Sequence, residues 1–126
     1  MPDSEQTNVS CDAARDVVIS MAIESWRFSR VFERILTKLD AGEQSRYVGQ
    51  LRWFLKKIED SLAQAELKIV NVEGHPFDPG IAATPLNIED FEPKDILIVD
   101  HMPEPIIMGK EGLVRMGVVI LRKVEQ

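Results

Sequence analysis

A run of six residues, Gly74-His75-Pro76-Phe77-Asp78-Pro79, divides the chain into two stretches of different character. Proline has no backbone N–H, clashes with the preceding turn and restricts the residue before it, so no helix continues through this run. The sequence before the run has the pattern of helices, and the sequence after it has the pattern of short strands and turns. The run therefore predicts a hinge between a helical half and a β half, with a plain interdomain loop as the alternative.

Composition limits what the chain can do. Its 126 residues carry a net charge of −6, and 44% of them are apolar, which suits one compact domain or two very small units. The acidic balance argues against nucleic acid as a partner. With Cys11 as the single cysteine, no intrachain disulfide can form, and we expect a cytoplasmic protein. No apolar run approaches the ~20 residues of a membrane span, and residues 1–10 lack the apolar core of a signal peptide, so we expect no membrane association.

The first helix is predicted over residues 12–39, after a polar segment, 1–11, that we expect to be disordered. Ser10 and Asp12 are both suitable N-cap residues. Apolar residues then follow spacings of three and four, which is typical of a heptad pattern. This seam contains Val18, Met21, Phe28, Phe32, Ile35 and Leu39 and is interrupted only by Ser25.

The second helix is predicted over residues 43–67. Asp40 and Glu43 are three residues apart and resemble a capping box at its start. Its seam again follows spacings of three and four and contains Leu51, Leu55, Ile58, Leu62, Ala65 and Ile69. Gly49 lies inside this helix and indicates either a tolerated surface glycine or a close approach of another helix.

Together the two helices predict an antiparallel hairpin over residues 12–67 that serves as a dimerisation region. The first helix is apolar on more than one face, and such a helix needs more than one neighbour. We therefore expect two hairpins to form a dimeric four-helix bundle. The alternative is a monomer whose hairpin packs on its own β half. The residues expected in the dimer interface are Phe28, Phe32, Ile35, Leu51, Leu55 and Ile58.

The remaining segment, residues 68–126, predicts a small β domain with about half a dozen short strands, so the fold class is α+β. Ile96–Val99 and Leu113–Leu121 are the clearest β runs. His101–Pro105 predicts a turn because it contains two prolines. We expect Phe77 to be buried where the β unit meets the end of the hairpin.

The residues that could support catalysis do not assemble into a known constellation. Cys11 lies in the N-terminal segment, away from His75 and His101, so a Cys–His pair has little support. Asp100 and His101 are adjacent, and adjacent strand residues point to opposite faces, so we expect a plain turn histidine. The sequence contains no Gly-rich phosphate loop and no metal-binding motif. We expect neither an enzyme nor a cofactor nor a metal.

A basic stripe, Arg27, Arg30, Arg34 and Lys38, follows the helical spacing of the first helix. Most such stripes are solvated faces, because exposed charges contribute little. The alternative is a docking surface for an acidic partner.

The order of a helical hairpin, a Gly-x-Pro-Phe-Asp-Pro run and a compact β unit resembles GrpE, the nucleotide exchange factor of DnaK-type chaperones, in a short form without the family's helical stalk. The matching hinge residues are Gly74, Pro76, Phe77, Asp78 and Pro79. Gly49-Gln50-Leu51 is similar to the start of the family's second bundle helix. Leu113–Ile120, with Arg115, is similar to the family's C-terminal strand, and Gly112 stands where the family has the first of two arginines.

The resemblance implies a homodimeric co-chaperone in protein folding that promotes release of ADP from a DnaK-type chaperone. In the family, the β unit contacts the chaperone's nucleotide-binding domain and wedges its cleft open. The residues expected to make this contact here are His101, Met102, Ile107, Met108 and Arg115. The alternative function is a diverged adaptor that keeps the GrpE fold, lacks exchange activity and binds another partner.

Overall fold

The computed structural model describes the backbone of residues 4–125 and the side chains of residues 12–125. Two long helices are followed by a small β-rich region with two sheets, which confirms the predicted α+β class. The chain divides into two compact units, Met1–Glu66 and Leu67–Gln126. The division therefore falls just after the second helix and ahead of Gly74.

The first helix, α1, spans Ser4–Leu36 and has 33 residues. It begins ahead of the predicted start at residue 12 and ends ahead of the predicted end at residue 39. No glycine or proline interrupts the sequence from Ser4 to Leu36, and extending an existing helix gains one hydrogen bond per residue. The polar segment that was expected to be disordered is therefore helical from Ser4 onward, while residues 1–3 lie outside the described residues.

The second helix, α2, spans Ala41–Gln64 and ends slightly before the predicted residue 67. Its N-cap is Asp40, whose carboxylate accepts a hydrogen bond of 2.9 Å from the backbone N–H of Glu43. This bond satisfies one of the free donors at the start of the helix, as the capping pattern predicts. The side-chain amide of Gln44 donates to the carbonyl of Leu36 at 3.0 Å and ties the start of α2 to the end of α1.

α1 and α2 pack against each other, and the short connection between them makes the pair an antiparallel hairpin. Ser29 is fully buried, and its hydroxyl donates to the carbonyl of Trp26 at 2.6 Å, so no polar group is left unsatisfied there. The guanidinium of Arg30 lies 4.0 Å from the centre of the Trp26 ring. Among the described side chains, the buried apolar residues of this unit are Ala22, Ile23, Trp26, Leu36 and Leu62.

Among the described residues, the second unit holds six strands and one short 3-10 helix, Ile88–Asp90. The strands are β1 Leu67–Val70, β2 Ala83–Pro85, β3 Leu97–Glu104, β4 Ile106–Gly109, β5 Gly112–Arg115 and β6 Gly117–Lys123. They form two three-stranded sheets, ordered β1-β4-β5 and β2-β6-β3. The β2–β6 pair is parallel and the other pairs are antiparallel.

One bent hairpin supplies strands to both sheets. Only Pro105 separates β3 from β4, and only Met116 separates β5 from β6, so each arm of the hairpin passes from one sheet to the other. The bend brings the backbone close to Gly117. A Cβ added there would lie 2.8 Å from Cγ1 of Ile106 and 3.0 Å from the carbonyl oxygen of Glu104. The bend therefore requires glycine at this position.

Two strand predictions for this hairpin are corrected by the structure. The predicted turn over His101–Pro105 is mostly strand, because β3 continues to Glu104. The register of β3 with β6 shifts between His101 and Glu104, and Pro103 lies in this irregular stretch, where a residue without an N–H is tolerated. The predicted single run Leu113–Leu121 is divided into β5 and β6.

The run Gly74–Pro79 is hydrogen-bonded along the edge of β3. The N–H of Gly74 donates to the carbonyl of Val99 at 2.8 Å, and the N–H of Phe77 donates to the carbonyl of Leu97 at 2.9 Å. Because the run lies inside the second unit, the prediction of a hinge between the two halves is wrong. Prolines are also tolerated at a sheet edge, because the N–H that proline lacks would face away from the sheet there and no hydrogen bond between strands is lost. Phe77, which was predicted to be buried, is half-buried.

Candidate partner-binding surface

The structure separates the five residues that were predicted to contact a partner. Met102 and Ile107 are fully buried, so their prediction as surface residues is wrong. His101 lies half-exposed on β3, Met108 lies half-buried on β4, and Arg115 is exposed on β5. β3 belongs to one sheet, whereas β4 and β5 belong to the other. The predicted site is therefore not one contiguous set of exposed residues on a single sheet.

Three exposed residues near β5 come nearest to the prediction, and together with the half-buried Met108 we name them the β5 surface: Leu113, Arg115 and Met116. Met108 and Leu113 are register partners on β4 and β5. Leu113 is 47% exposed and Met116 is 50% exposed. Neither was predicted as a site residue. Exposure alternates along β5, where Leu113 and Arg115 are exposed and Val114 between them is half-buried, and this alternation is a signal that could have found Leu113.

Arg115 supplies the charge of the β5 surface. Its Nη2 lies 3.6 Å from Oε1 of Glu104, and both side chains are substantially exposed to water. Exposed ion pairs of this kind are worth little, so this contact does not hold the guanidinium against competition. The planar donor group of Arg115 is therefore available to bind a carboxylate of a partner in a bidentate manner.

Asp100 contacts both His101 and Arg122. All three residues lie in the sheet β2-β6-β3, which does not contain β5. One carboxylate oxygen of Asp100 lies 2.9 Å from Nδ1 of His101, and the other lies 3.2 Å from Nε of Arg122. The expectation that Asp100 and His101 point apart is wrong, because the register of β3 is irregular between Val99 and His101. Among the described residues, no other side chain hydrogen-bonds the imidazole. The arrangement orients the ring but brings no nucleophile to it.

The described residues offer neither a cluster of metal ligands nor a membrane-spanning helix. Within the part of the chain that the structure describes, no group of three or more His, Cys, Asp or Glu side chains can hold a metal ion. No described helix combines the length and the apolar character needed to cross a membrane.

α1 carries a second apolar surface, which we name the α1 apolar face. It consists of Val17, Met21, Phe28, Val31 and Ile35, which are 42–65% exposed. Their spacing places them along one stripe of the helix. The stripe lies away from the buried side, since Phe28 and Trp26 are about 200° apart around the helix axis. Large apolar side chains therefore remain in water along most of α1.

The six residues predicted for the dimer interface occupy two environments. Phe28 and Ile35 are exposed and belong to the α1 apolar face. The other four are half-buried and comprise Phe32, Leu51, Leu55 and Ile58. The rings of Phe28 and Phe32 are stacked, with centroids 6.4 Å apart, so an aromatic pair connects the exposed stripe to the half-buried residues.

The predicted basic stripe on α1 is partly neutralised by its own helix. Arg27 lies 3.6 Å from Glu24, and Arg30 lies 3.1 Å from Glu33. The remaining members of the stripe, Arg34 and Lys38, are exposed. Two of the four members of the stripe therefore take part in ion pairs within α1.

Comparison of the chain with protein-family models, with curated proteins and with solved structures finds no significant match.

Proposed function

We propose that this chain is a GrpE-like co-chaperone that promotes release of ADP from a DnaK-type chaperone. The observation that supports this proposal is the order of the two compact units, a helical hairpin followed by a six-stranded β unit. The resembling family has the same order. The Gly74–Pro79 run lies after the hairpin and borders β3 of the β unit.

Such a factor works without a covalent step. It binds the open, nucleotide-free conformation of the chaperone more tightly than the closed one. By linkage, a protein that prefers the empty state weakens nucleotide affinity by the same factor, so ADP leaves faster or binds more weakly. No cofactor and no nucleic acid takes part in this mechanism.

The β5 surface is the proposed contact with the chaperone's nucleotide-binding domain. Arg115 offers a bidentate donor for a carboxylate, and its only competing ion pair among the described residues is exposed. Leu113 and Met116 supply exposed apolar area beside it, and methionine adapts its shape to a partner surface. His101 extends the proposed contact to the sheet β2-β6-β3, where its ring is hydrogen-bonded to Asp100.

The hairpins are the proposed dimer interface. The α1 apolar face leaves five large apolar side chains in water, which costs free energy that a second copy would recover by covering them. Two hairpins would then form a four-helix bundle.

The alternative function is a diverged adaptor without exchange activity, and Gly112 favours it. Gly112 stands where the family has an arginine, and its φ of +128° is a conformation that side-chain-bearing residues rarely adopt. An arginine at position 112, at the turn between β4 and β5, would therefore strain the backbone. An exchange factor built on this chain would depend on Arg115 alone.

The deciding experiment measures release of a fluorescent ADP analogue from a DnaK-type chaperone. The wild type should accelerate release. Arg115→Ala should reduce the acceleration by about tenfold or more, as expected for loss of a charge-assisted hydrogen bond. A Leu113→Ala, Met116→Ala double variant should also reduce it.

A matched control is Ile88→Ala with Ile96→Ala, which removes similar exposed apolar area from another part of the β unit. This control should keep full activity. No acceleration by the folded wild type would reject the exchange function in favour of the adaptor. Acceleration that survives both β5 variants would keep the function and reject the β5 surface as its site.

A further inference from the structure

The middle of α2 concentrates positive charge. The 15 residues Gln44–Ile58 contain Arg46, Arg52, Lys56 and Lys57 and no aspartate or glutamate, although the whole chain has a net charge of −6. All four cationic side chains are exposed. A local excess of positive charge on one helix of an acidic protein can attract an anionic partner to that helix.

Three of these four cations have no ionic partner within the described residues. Arg46, Arg52 and Lys57 form no ion pair there. Lys56 is different, because its ammonium donates to Asp60 at 3.0 Å, and this hydrogen bond and charge raise its pKa. On α1, by contrast, two of the four basic-stripe residues are paired with glutamates of their own helix.

An exposed tryptophan lies among these charges. Trp53 is 62% exposed, whereas the other tryptophan, Trp26, is buried. Arg46, Trp53 and Lys57 are spaced by seven and four residues, so they lie along one row of α2. The ammonium of Lys57 lies 5.8 Å from the centre of the Trp53 ring.

Gly49 opens space beside this row. It lies four residues before Trp53, and a Cβ added to it would have nothing within 4 Å. Of the two readings of this glycine, the structure therefore supports a surface glycine. The exposure of Trp53 itself, at 62%, leaves ring surface that an apolar group can contact.

We propose that the row Arg46–Trp53–Lys57 binds a short acidic polypeptide segment that carries one apolar side chain. The carboxylates would pair with the unpaired cations, and the apolar side chain would pack on Trp53. Arg46 and Lys57 are about 16 Å apart along the helix, a distance that about five extended residues span. The site is independent of the proposed exchange activity and of the β5 surface.

Charge and shape favour an acidic segment over other anionic partners. The two cations of the row, Arg46 and Lys57, match two carboxylates, whereas a nucleic acid brings a long row of phosphates and needs a broader basic surface. An anionic membrane would need a broad apolar helix face, and Trp53 is the only apolar residue in the described row.

The test uses two labelled peptides, one with glutamates around a central phenylalanine and one with glutamines in place of the glutamates. Binding to the full chain is measured by fluorescence anisotropy, and the emission of Trp53 is followed with Trp53→Phe as the reference. The glutamate peptide should bind at least about tenfold more tightly than the glutamine peptide. Raising the ionic strength from about 0.05 M to about 0.3 M should weaken it, because screening shortens the reach of the charges.

The decisive variant is Arg46→Gln with Lys57→Gln, and its matched control is Arg27→Gln with Arg34→Gln. Each removes two exposed positive charges from the hairpin. The α2 variant should lose about tenfold in affinity, and the α1 control should change it less than about twofold. Circular dichroism checks the helices, and Lys57→Gln alone replaces the double variant if that protein is unfolded.

Several outcomes overturn the proposal. Equal binding of the two peptides would show that carboxylates are not recognised. Equal losses in the α1 and α2 variants would show that only net charge matters. Tighter binding of a thymidine oligonucleotide or of phosphatidylserine vesicles than of the glutamate peptide would assign the surface to a nucleic acid or a membrane.

Discussion

Gly117 and Gly49 are the same residue type under opposite constraints. At Gly117 the bend between the two sheets leaves no room for a Cβ, because Ile106 and the backbone of Glu104 lie within 3.0 Å of it. At Gly49 the helix surface is open, and the missing Cβ only adds conformational freedom to the unfolded chain. The surroundings of each glycine therefore decide how an added methyl group changes the free energy of unfolding.

Alanine at these two glycines should therefore change stability in opposite directions. Gly117→Ala should lower the free energy of unfolding by about 1–3 kcal/mol, because the added methyl group forces the bend apart. Gly49→Ala should raise it by about 0.5–1 kcal/mol, since alanine is the better helix former. Urea unfolding measures both. A Gly117→Ala protein as stable as the wild type would show that the bend can relax.

Asp95 makes stability depend on pH. Its carboxylate accepts from the N–H of Glu92 at 2.9 Å and lies 3.5 Å from the ammonium of Lys123. The hydrogen bond from Glu92, followed by the charge of Lys123, lowers the pKa of Asp95 in the folded protein. The resulting stability is fully present above the ordinary aspartate pKa of about 4 and is lost as the pH falls through the lowered value.

Asp95→Asn should therefore lower stability at neutral pH and weaken its decline below pH ~4. Urea unfolding at several pH values measures this dependence. The matched control is Asp90→Asn, which changes an exposed carboxylate that has no side-chain hydrogen bond or ion pair among the described residues. If both variants show the same pH dependence as the wild type, Asp95 does not contribute to it.

The run Gly74–Pro79 adopts a different structure from the one that its residue types predict. It contains the residues of a linker, yet its backbone extends the edge of β3. Covering this edge protects the N–H and C=O groups of β3 from pairing with another chain. β3 is therefore bonded along both sides, by this run and by β6.

Hydrogen exchange should distinguish a paired edge from a free linker. The amides of Gly74, Phe77 and Val99 each donate to a backbone carbonyl in this element, and they should exchange more slowly than unprotected peptide amides. NMR-detected exchange measures them individually. Exchange of Phe77 at the rate of an unstructured peptide would contradict the pairing.

At the scale of the whole molecule, the α1 apolar face leaves five large apolar side chains of the described residues in water. A compact chain of this size buries only a limited share of its surface on folding. Binding to another chain commonly covers the apolar area that stays exposed. The α1 apolar face belongs to the hairpin unit, which has only two helices to cover each other's apolar side chains.

The hairpin should consequently dimerise, and Phe28→Asp should abolish the dimer. Phe28 is 62% exposed within the chain, so the change should spare the fold of the monomer and place a charge in the interface. Sedimentation at micromolar concentration measures the mass, and Ile96→Asp, at an exposed position of the β unit, is the matched control. A wild type that stays monomeric at every concentration would reject the dimer.

The sequence by itself determined the features that depend on neighbours along the chain. The cap of Asp40 on Glu43, the two helices and the β character of the second half follow from spacing, capping and propensity, which act over a few residues. Of the residues that the sequence proposed for partner contact, Arg115 is exposed, and its role as a contact stays a prediction.

Only the tertiary structure decided which side chains are buried and which residues meet. The burial of Met102 and Ile107, the pairing of Asp100 with His101 and the edge position of Gly74–Pro79 all depend on register and bulges in the sheets. A shift of one residue in register moves every side chain to the other face of a strand, and local propensity does not encode that shift. The outward face of the β unit could not be read from residue types, because long-range pairing selects it.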